Sequence, residues 1–167
     1  MKLLFVFILN FIFLVHLTTV TTTFSTRDKF NVVTSPDGKD FYIYSNSKKT
    51  WHEAYRTCHD VYKGDLAAIE NKGQSEALRT FFKEKYNNRI EEFWLSGNSL
   101  TSPQDGYLWY LTNPMEMFHQ QWARGSPSKN TSGYCIYWRH DINNYGMVDV
   151  SCAEKEYFVC EKRNHCK

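Results

Sequence analysis

Five cysteines, Cys58, Cys135, Cys152, Cys160 and Cys166, all stand downstream of an apolar N-terminal stretch. That arrangement constrains the chain more than any other feature. The stretch runs Met1-Lys2, then Leu3 to Leu17, then a polar exit from Thr18 to Thr23. One positive charge, a short oily segment and a small-residue exit predict a secretory signal over residues 1–23, cleaved between Val20 and Ser25. The oily segment falls short of the roughly 20 residues that span a bilayer, and Asn10 and His16 interrupt it. No later run is oily enough to span. The expectation is a secreted, extracellular chain whose cysteines meet an oxidising compartment and bridge. Four of them allow three pairings, and a fifth is left over. The leftover reads as Cys166, in the polar tail 164–167, either as an unpaired end or as an intermolecular bridge. No Cys-x-x-Cys pair occurs, so zinc ribbons and thioredoxin-type redox chemistry have no foothold.

The 167 residues suit one domain of ordinary size. With 42% apolar residues there is enough oily surface to offset chain entropy, which excludes a disordered chain. Net charge is only +2, and removing Lys2 with the leader leaves 19 basic against 18 acidic residues. Nothing here makes the basic field that nucleic acid demands.

Residues 24–39 read as a polar N-terminal leader, ending in the turn signal Ser35-Pro36-Asp37-Gly38. Phe41 to Tyr44 reads as a strand. Thr50 with Glu53 forms a capping box opening a helix, on which Trp51, Ala54, Tyr55 and Cys58 make one apolar stripe. A second helix starts near Asn71, with Gln74 in the reciprocal position and Ala77/Phe81 and Leu78/Phe82 spaced i, i+4. After Tyr86 come short strand-like runs at 93–95, 107–111, 134–138, 147–150 and 157–160. Between Thr112 and Gly133 lies a long stretch with little regular pattern, and loops of that length are usually functional. A strand, two helices and several short strands around a long loop predict an α+β fold.

Enzyme patterns are missing. There is no Gly-x-Ser-x-Gly, His-Glu-x-x-His or phosphate-loop spacing. His52 and His59 sit about 10 Å apart along a helix axis, too far to share a metal. His140-Asp141 reads as a solvated pair in a polar turn, and His119 has no evident partner. A binding role is expected.

Several features in order resemble the C-type lectin-like domain family over residues 40–163. Trp51-x-x-Ala54 precedes Cys58 on a helix, and Leu66-Ala67-Ala68-Ile69 follows. Phe93-Trp94-Leu95-Ser96-Gly97 stands where the family has its Trp-Ile-Gly-Leu strand. Trp122 and Gly125-Ser126-Pro127 fall in the long loop, and Cys135, Cys152 and Phe158-Val159-Cys160 close the domain. The Phe-Trp-Leu-Ser-Gly wording is most similar to secreted single-domain insect lectins. The resemblance implies two helices with short antiparallel sheets and a long irregular loop. It also implies disulfides Cys58–Cys160 and Cys135–Cys152, which would close loops of about 100 and 17 residues and contribute roughly 4–5 and 3 kcal/mol. Cys166 is then the odd one.

Sugar-binding members of the family use a calcium ion in the long loop, because Ca²⁺ takes 6–8 oxygens and sugar hydroxyls complete its shell. The resemblance places those ligands in a Glu-Pro-Asn or Gln-Pro-Asp triplet, a Glu before the third cysteine and a Trp-Asn-Asp triplet. Here those positions read Ser126-Pro127-Ser128, Gly133 and Met147-Val148-Asp149. Pro127, cis in the family, is kept, and Asp149 is the single retained metal ligand. The auxiliary site fares no better: Lys129 and Tyr134 stand where acids belong, and only Asp105 fits. The calcium site therefore reads as degraded. Asp141, Asn143 and Asn144 could supply oxygens for a rebuilt site, though a solvated turn is the simpler reading. Tyr134, Tyr137, Trp138 and Tyr145 offer aromatic faces on which a sugar ring could stack without metal, against the commoner role of such residues as core.

Asn130-Thr131-Ser132 is an N-glycosylation sequon in the same loop. The candidate ligand-binding residues are thus Ser126, Pro127, Ser128, Trp138 and Asp149. The expected function is secreted carbohydrate recognition in defence or at cell surfaces, with glycans or glycoproteins, microbial ones included, as partners and galactose or mannose type unresolved. The alternative is a calcium-independent protein-binding module, one subunit of a homo- or hetero-oligomer linked through Cys166.

Overall fold

The computed structural model describes residues 30–87, 89–100, 107–109, 122–128 and 133–163. The predicted signal segment, Asp105, Lys129, Asn130 and Cys166 lie outside these residues. One connected sheet organises the fold. Its strands are β1 (Asn31–Thr34), β2 (Asp40–Lys49), β3 (Gly64–Leu66), β4 (Glu91–Asn98), β5 (Leu108–Trp109), β6 (Tyr134–His140), β7 (Gly146–Ser151) and β8 (Glu156–Lys162). They run in the order β1-β2-β8-β4-β6-β7, with β3 on β8 and β5 on β4. Every pairing is antiparallel except β4–β8, a parallel pair where Phe93 and Trp94 meet Tyr157 and Phe158. The last strand therefore sits between β2 and β4, so the sheet closes only when the chain's end arrives. The α+β class expected from the residue pattern is the fold observed.

Alternation along these strands divides the core in two. Phe41, Ile43, Phe93, Leu95, Ile136, Trp138, Met147 and Val159 face helix α2 (Lys72–Tyr86), which contributes Leu78, Phe82 and Tyr86. Their neighbours Tyr44, Trp94, Tyr137, Phe158 and Cys160 face helix α1 (Trp51–Arg56) and its π-helical continuation Thr57–Val61. Burying one such side chain contributes about 1.5–3 kcal/mol.

Helix α1 starts where its capping box predicts. The Thr50 hydroxyl accepts from the Glu53 N–H, and the Glu53 carboxylate accepts from the Thr50 N–H at 2.9 Å. The apolar stripe then buries Trp51, Ala54 and Cys58. Trp51 Nε1 donates to the Leu95 carbonyl at 2.8 Å, fixing the helix over β4. Helix α2 is capped by Asn71, whose side chain accepts from the Gln74 N–H at 3.0 Å. The reciprocal bond reaches one residue farther back than expected, from the Glu70 N–H to Gln74 Oε1 at 2.8 Å.

Two expectations need correction. Residues 31–34, read as part of a polar leader, form β1, hydrogen-bonded in register to β2 from Asn31↔Ile43 to Thr34↔Asp40. Four residues with two valines are too short to carry a strand signal; β2 supplies the partner that makes one. His140, read as solvated, is buried, and its ring nitrogen sits 2.9 Å from the Asn87 carbonyl at the end of α2.

The disulfides are Cys58–Cys160 and Cys135–Cys152, with sequence separations of 102 and 17. The first ties the end of α1 to β8. The second ties β6 to the turn after β7.

Candidate functional site

The strands β6 and β7 pair tightly, with Ile136 opposite Asp149. That register sets Asp149 at the inner end of the long loop, and segment 122–128 returns across it. The segment is pinned at its start. Trp122 bridges to Met147, the Ala123 N–H donates to the Met147 carbonyl at 2.9 Å, and the Arg124 N–H donates to Asn144 Oδ1 at 2.6 Å. Gly125 follows with φ of 91°, a left-handed conformation that favours glycine, and the Ser126–Pro127 peptide is cis.

At the end of the segment, Asp149 takes hold. Its Oδ2 accepts from the Ser128 N–H at 2.8 Å, the Ser128 hydroxyl at 2.5 Å and the Tyr107 hydroxyl at 2.7 Å. Asp149 and Tyr107 are both buried, so these bonds form away from bulk water. Burial pushes the Asp149 carboxyl up, but the bonds from Ser128 and Tyr107 outweigh it and hold the group below its ordinary value. Tyr107 is pushed up, by burial first and then by its bond to that carboxylate. The cluster is an anchor: one carboxylate oxygen fastens two loop segments that lie 21 and 42 residues away in sequence.

Tested against calcium, this donor set does not fit. The ion needs six or more oxygens, most of them carboxylate or amide. Ser126 and Ser128 offer hydroxyls, Gly133 has no side chain, and Asp149 Oδ2 already accepts three hydrogens. Among the described residues no three His, Cys, Asp or Glu side chains gather in a metal-binding group. The oxygens considered for a rebuilt site serve the loop. Asp141 Oδ1 accepts from the Asn143 N–H at 2.9 Å, a local turn, and Asn144 holds Arg124.

Of the sequence-predicted site residues, Ser126, Pro127, Ser128 and Asp149 come together. Trp138 does not join them. It is completely buried in the core beneath α2 and has no exposed face for a sugar to stack on, which corrects the reading of it as a ligand-binding candidate. Tyr137 is buried too and receives a hydrogen bond from Arg139 at 2.7 Å. Tyr145 is half-buried and covered by the Arg79 guanidinium, 4.0 Å from its ring centre. The partner that sequence reasoning missed is Tyr107, whose only signal was its place in a short aromatic run.

Comparison with known proteins accords with this geometry. The family described as the lectin C-type domain matches residues 47–162. The human protein lithostathine-1-alpha is 23% identical over 123 residues, covering 74% of this chain and 72% of its own length. Salivary C-type lectin 2 of Aedes albopictus is 25% identical over 134 residues, covering 76% and 86%. The solved C-type lectin domain of murine dendritic cell inhibitory receptor 2, crystallised in complex with N-glycan, superposes with a TM-score of 0.64 at 18% identity. That match covers 84% of this chain and all of that one.

Proposed function

This chain belongs to the C-type lectin domain family, a family of binding proteins and not enzymes. From that premise we propose that it is a secreted glycan-recognition protein whose binding loop is held by hydrogen bonds where calcium-dependent relatives use an ion. The observation that carries this is the triple hydrogen bond on Asp149 Oδ2. In a calcium-built site the cation orders the loop and also binds the sugar hydroxyls. Here Tyr107 and Ser128 do the ordering, so recognition falls to protein groups. Arg124 and Asn143 are exposed and Ser126 is half-buried, and all three offer polar groups to sugar hydroxyls. The partners proposed are glycans of microbial or cell-surface glycoproteins, in keeping with a defence role. Asn130, two residues beyond Ser128 in sequence, is proposed to carry an N-glycan.

The test is retention on galactose, mannose and glycan-array surfaces, measured in calcium chloride and again in excess chelator. Equal retention in both is expected. Retention that the chelator abolishes overturns the reading. The second reading, a protein-binding subunit of a disulfide-linked oligomer, draws on Cys166. The two internal bridges use the other four cysteines, so Cys166 has no partner within this chain. Failure to bind any glycan in either buffer favours that second reading.

A further inference from the structure

Two cations of α2 stand one turn apart with no carboxylate to pair them. Arg79 and Lys83 are spaced i, i+4, so their side chains share one face of the helix, where like charges repel. Among the described residues neither side chain makes an ion pair or a hydrogen bond. Glu76, the acid three residues before Arg79, is taken by Lys72 at 3.6 Å. Arg79 is nonetheless held in place. Its guanidinium lies 4.0 Å from the centre of the Tyr145 ring, a contact that restrains the planar group. The side chain is otherwise exposed, so the N–H groups around the rim of that plane stay open to a ligand.

Both cations line a cleft of about 130 Å³, to which the β6–β7 turn, residues 141–145, contributes Asp141, Ile142 and Tyr145. Drug-sized sites run to roughly 300 Å³ or more, so this cleft takes one ring or one acidic group and not an extended chain. His140 also borders it, with its ring nitrogen already engaged 2.9 Å from the Asn87 carbonyl. Asp141 is half-buried, and its Oδ1 accepts from the Asn143 N–H at 2.9 Å. Its Oδ2 has no partner among the described residues and is left as an acceptor. Ile142 is 65% exposed and gives the rim an apolar surface.

We infer that this cleft binds a carboxylate-bearing sugar residue, its carboxylate on Arg79 and Lys83 and a ring hydroxyl donating to Asp141 Oδ2. Two adjacent cations select an anion, and the guanidinium fork matches the two oxygens of a carboxylate. Asp141 decides which kind of anion. A sulfate or a phosphate diester brings negative charge toward that carboxylate and no hydroxyl to donate, so it is disfavoured. A hexuronic or nonulosonic acid carries its carboxylate on a ring with several hydroxyls and meets both demands. The same turn also supports the recognition loop. Asn144 Oδ1 accepts from the Arg124 N–H, while Tyr145, next in sequence, carries Arg79. The inference rests on glycan recognition only in taking a sugar as the ligand. It uses no residue of the 122–128 segment, so the two readings fail separately.

The experiment follows amide NMR shifts of the isotope-labelled full chain in excess chelator. Methyl glucuronide, the methyl glycoside of N-acetylneuraminic acid, methyl glucoside and inorganic sulfate are titrated separately. At least one acidic sugar is expected to move the amides around Arg79 and Lys83 and those of the 141–145 turn, with the millimolar affinity of an exposed, solvent-screened site. The tighter of the two identifies the acid that the cleft takes. Arg79→Gln combined with Lys83→Gln, at exposed helix positions that folding tolerates, should raise the dissociation constant at least about tenfold. Shifts from neither acidic sugar overturn the proposal. So do equal shifts from methyl glucoside, undiminished binding by the double variant, or sulfate binding as tight as the sugars. Neutral-glycan retention with no acidic-sugar shift defeats the cleft and leaves the loop standing. Acidic-sugar shifts without neutral-glycan retention do the reverse.

Discussion

Replacing Asp149 with alanine separates an anchor from a metal ligand. The side chain accepts three hydrogen bonds on one oxygen, two from Ser128 and one from Tyr107. Hydrogen bonds to a charged group contribute about 1.5–3 kcal/mol each, and a buried donor left unpaired costs about 1–3 kcal/mol. Ser128 is half-buried, so water recovers part of its loss; about 1 kcal/mol for each of its bonds is a fair figure. Tyr107 is buried and its hydroxyl would be stranded, at about 1–2 kcal/mol. The variant should lose about 3–4 kcal/mol, or roughly 10 °C in melting temperature at about 3 °C per kcal/mol. Asp149→Asn keeps an acceptor without the charge and should lose about half as much. The assay is denaturant unfolding in calcium chloride and in chelator, with the same loss expected in both. The gap between wild type and Asp149→Ala should also narrow in acid. The carboxyl is held below its ordinary 3.8, so its contribution is full above that pH and is lost as pH falls through the depressed folded value. If Asp149 were a calcium ligand, calcium would stabilise the wild type by about 2.7 kcal/mol at a hundredfold excess over its dissociation constant, and the alanine variant would lose that gain. A mutational loss confined to the calcium buffer would refute the anchor.

The ammonium of Lys39 lies 2.7 Å from Glu161, 2.8 Å from Glu70 and 2.8 Å from the Ala68 carbonyl, joining the β1–β2 turn to β8. Lys39→Met should cost about 2–4 kcal/mol in denaturant unfolding, since it leaves the half-buried Glu161 carboxylate without its cation. Burial already raises the Glu161 pKa and Lys39 lowers it, so without Lys39 it rises further. The deficit should be largest at neutral pH and shrink as pH falls toward the unfolded-state value of about 4.5; a deficit that grows in acid would contradict this. Gly97 on β4 has no room for a methyl group, because an added Cβ would meet Ile136 Cγ1 at 2.7 Å and Trp109 at 3.2 Å. Gly97→Ala should cost about 1–3 kcal/mol in the same assay, and an unchanged midpoint would show that β5 and β6 yield freely.

Much of this protein could be read from short-range rules. Thr50 and Glu53 stand three residues apart, and a capping box needs nothing more. The Ser35-Pro36-Asp37-Gly38 turn needs only a glycine at positive φ, which Gly38 supplies at 85°. The runs at 93–95, 134–138 and 157–160 are apolar enough to be strands wherever the fold puts them. The ordered cysteines and tryptophans identify the family, and the missing acids around Pro127 already argue against a calcium shell.

What local rules miss depends on a partner chosen by the whole fold. A tryptophan at 138 is equally compatible with a core and with a sugar platform; α2 packing over β6 decides for the core. His140 beside Asp141 looks solvated until Asn87, 53 residues away, arrives at its ring. β1 exists because β2 offers it hydrogen bonds. Asp149 is the sharpest case. By sequence it is a surviving ligand without companions. Only folding delivers Tyr107 and Ser128 to the same oxygen, since which donors a buried carboxylate receives is a matter of distance in space and not along the chain.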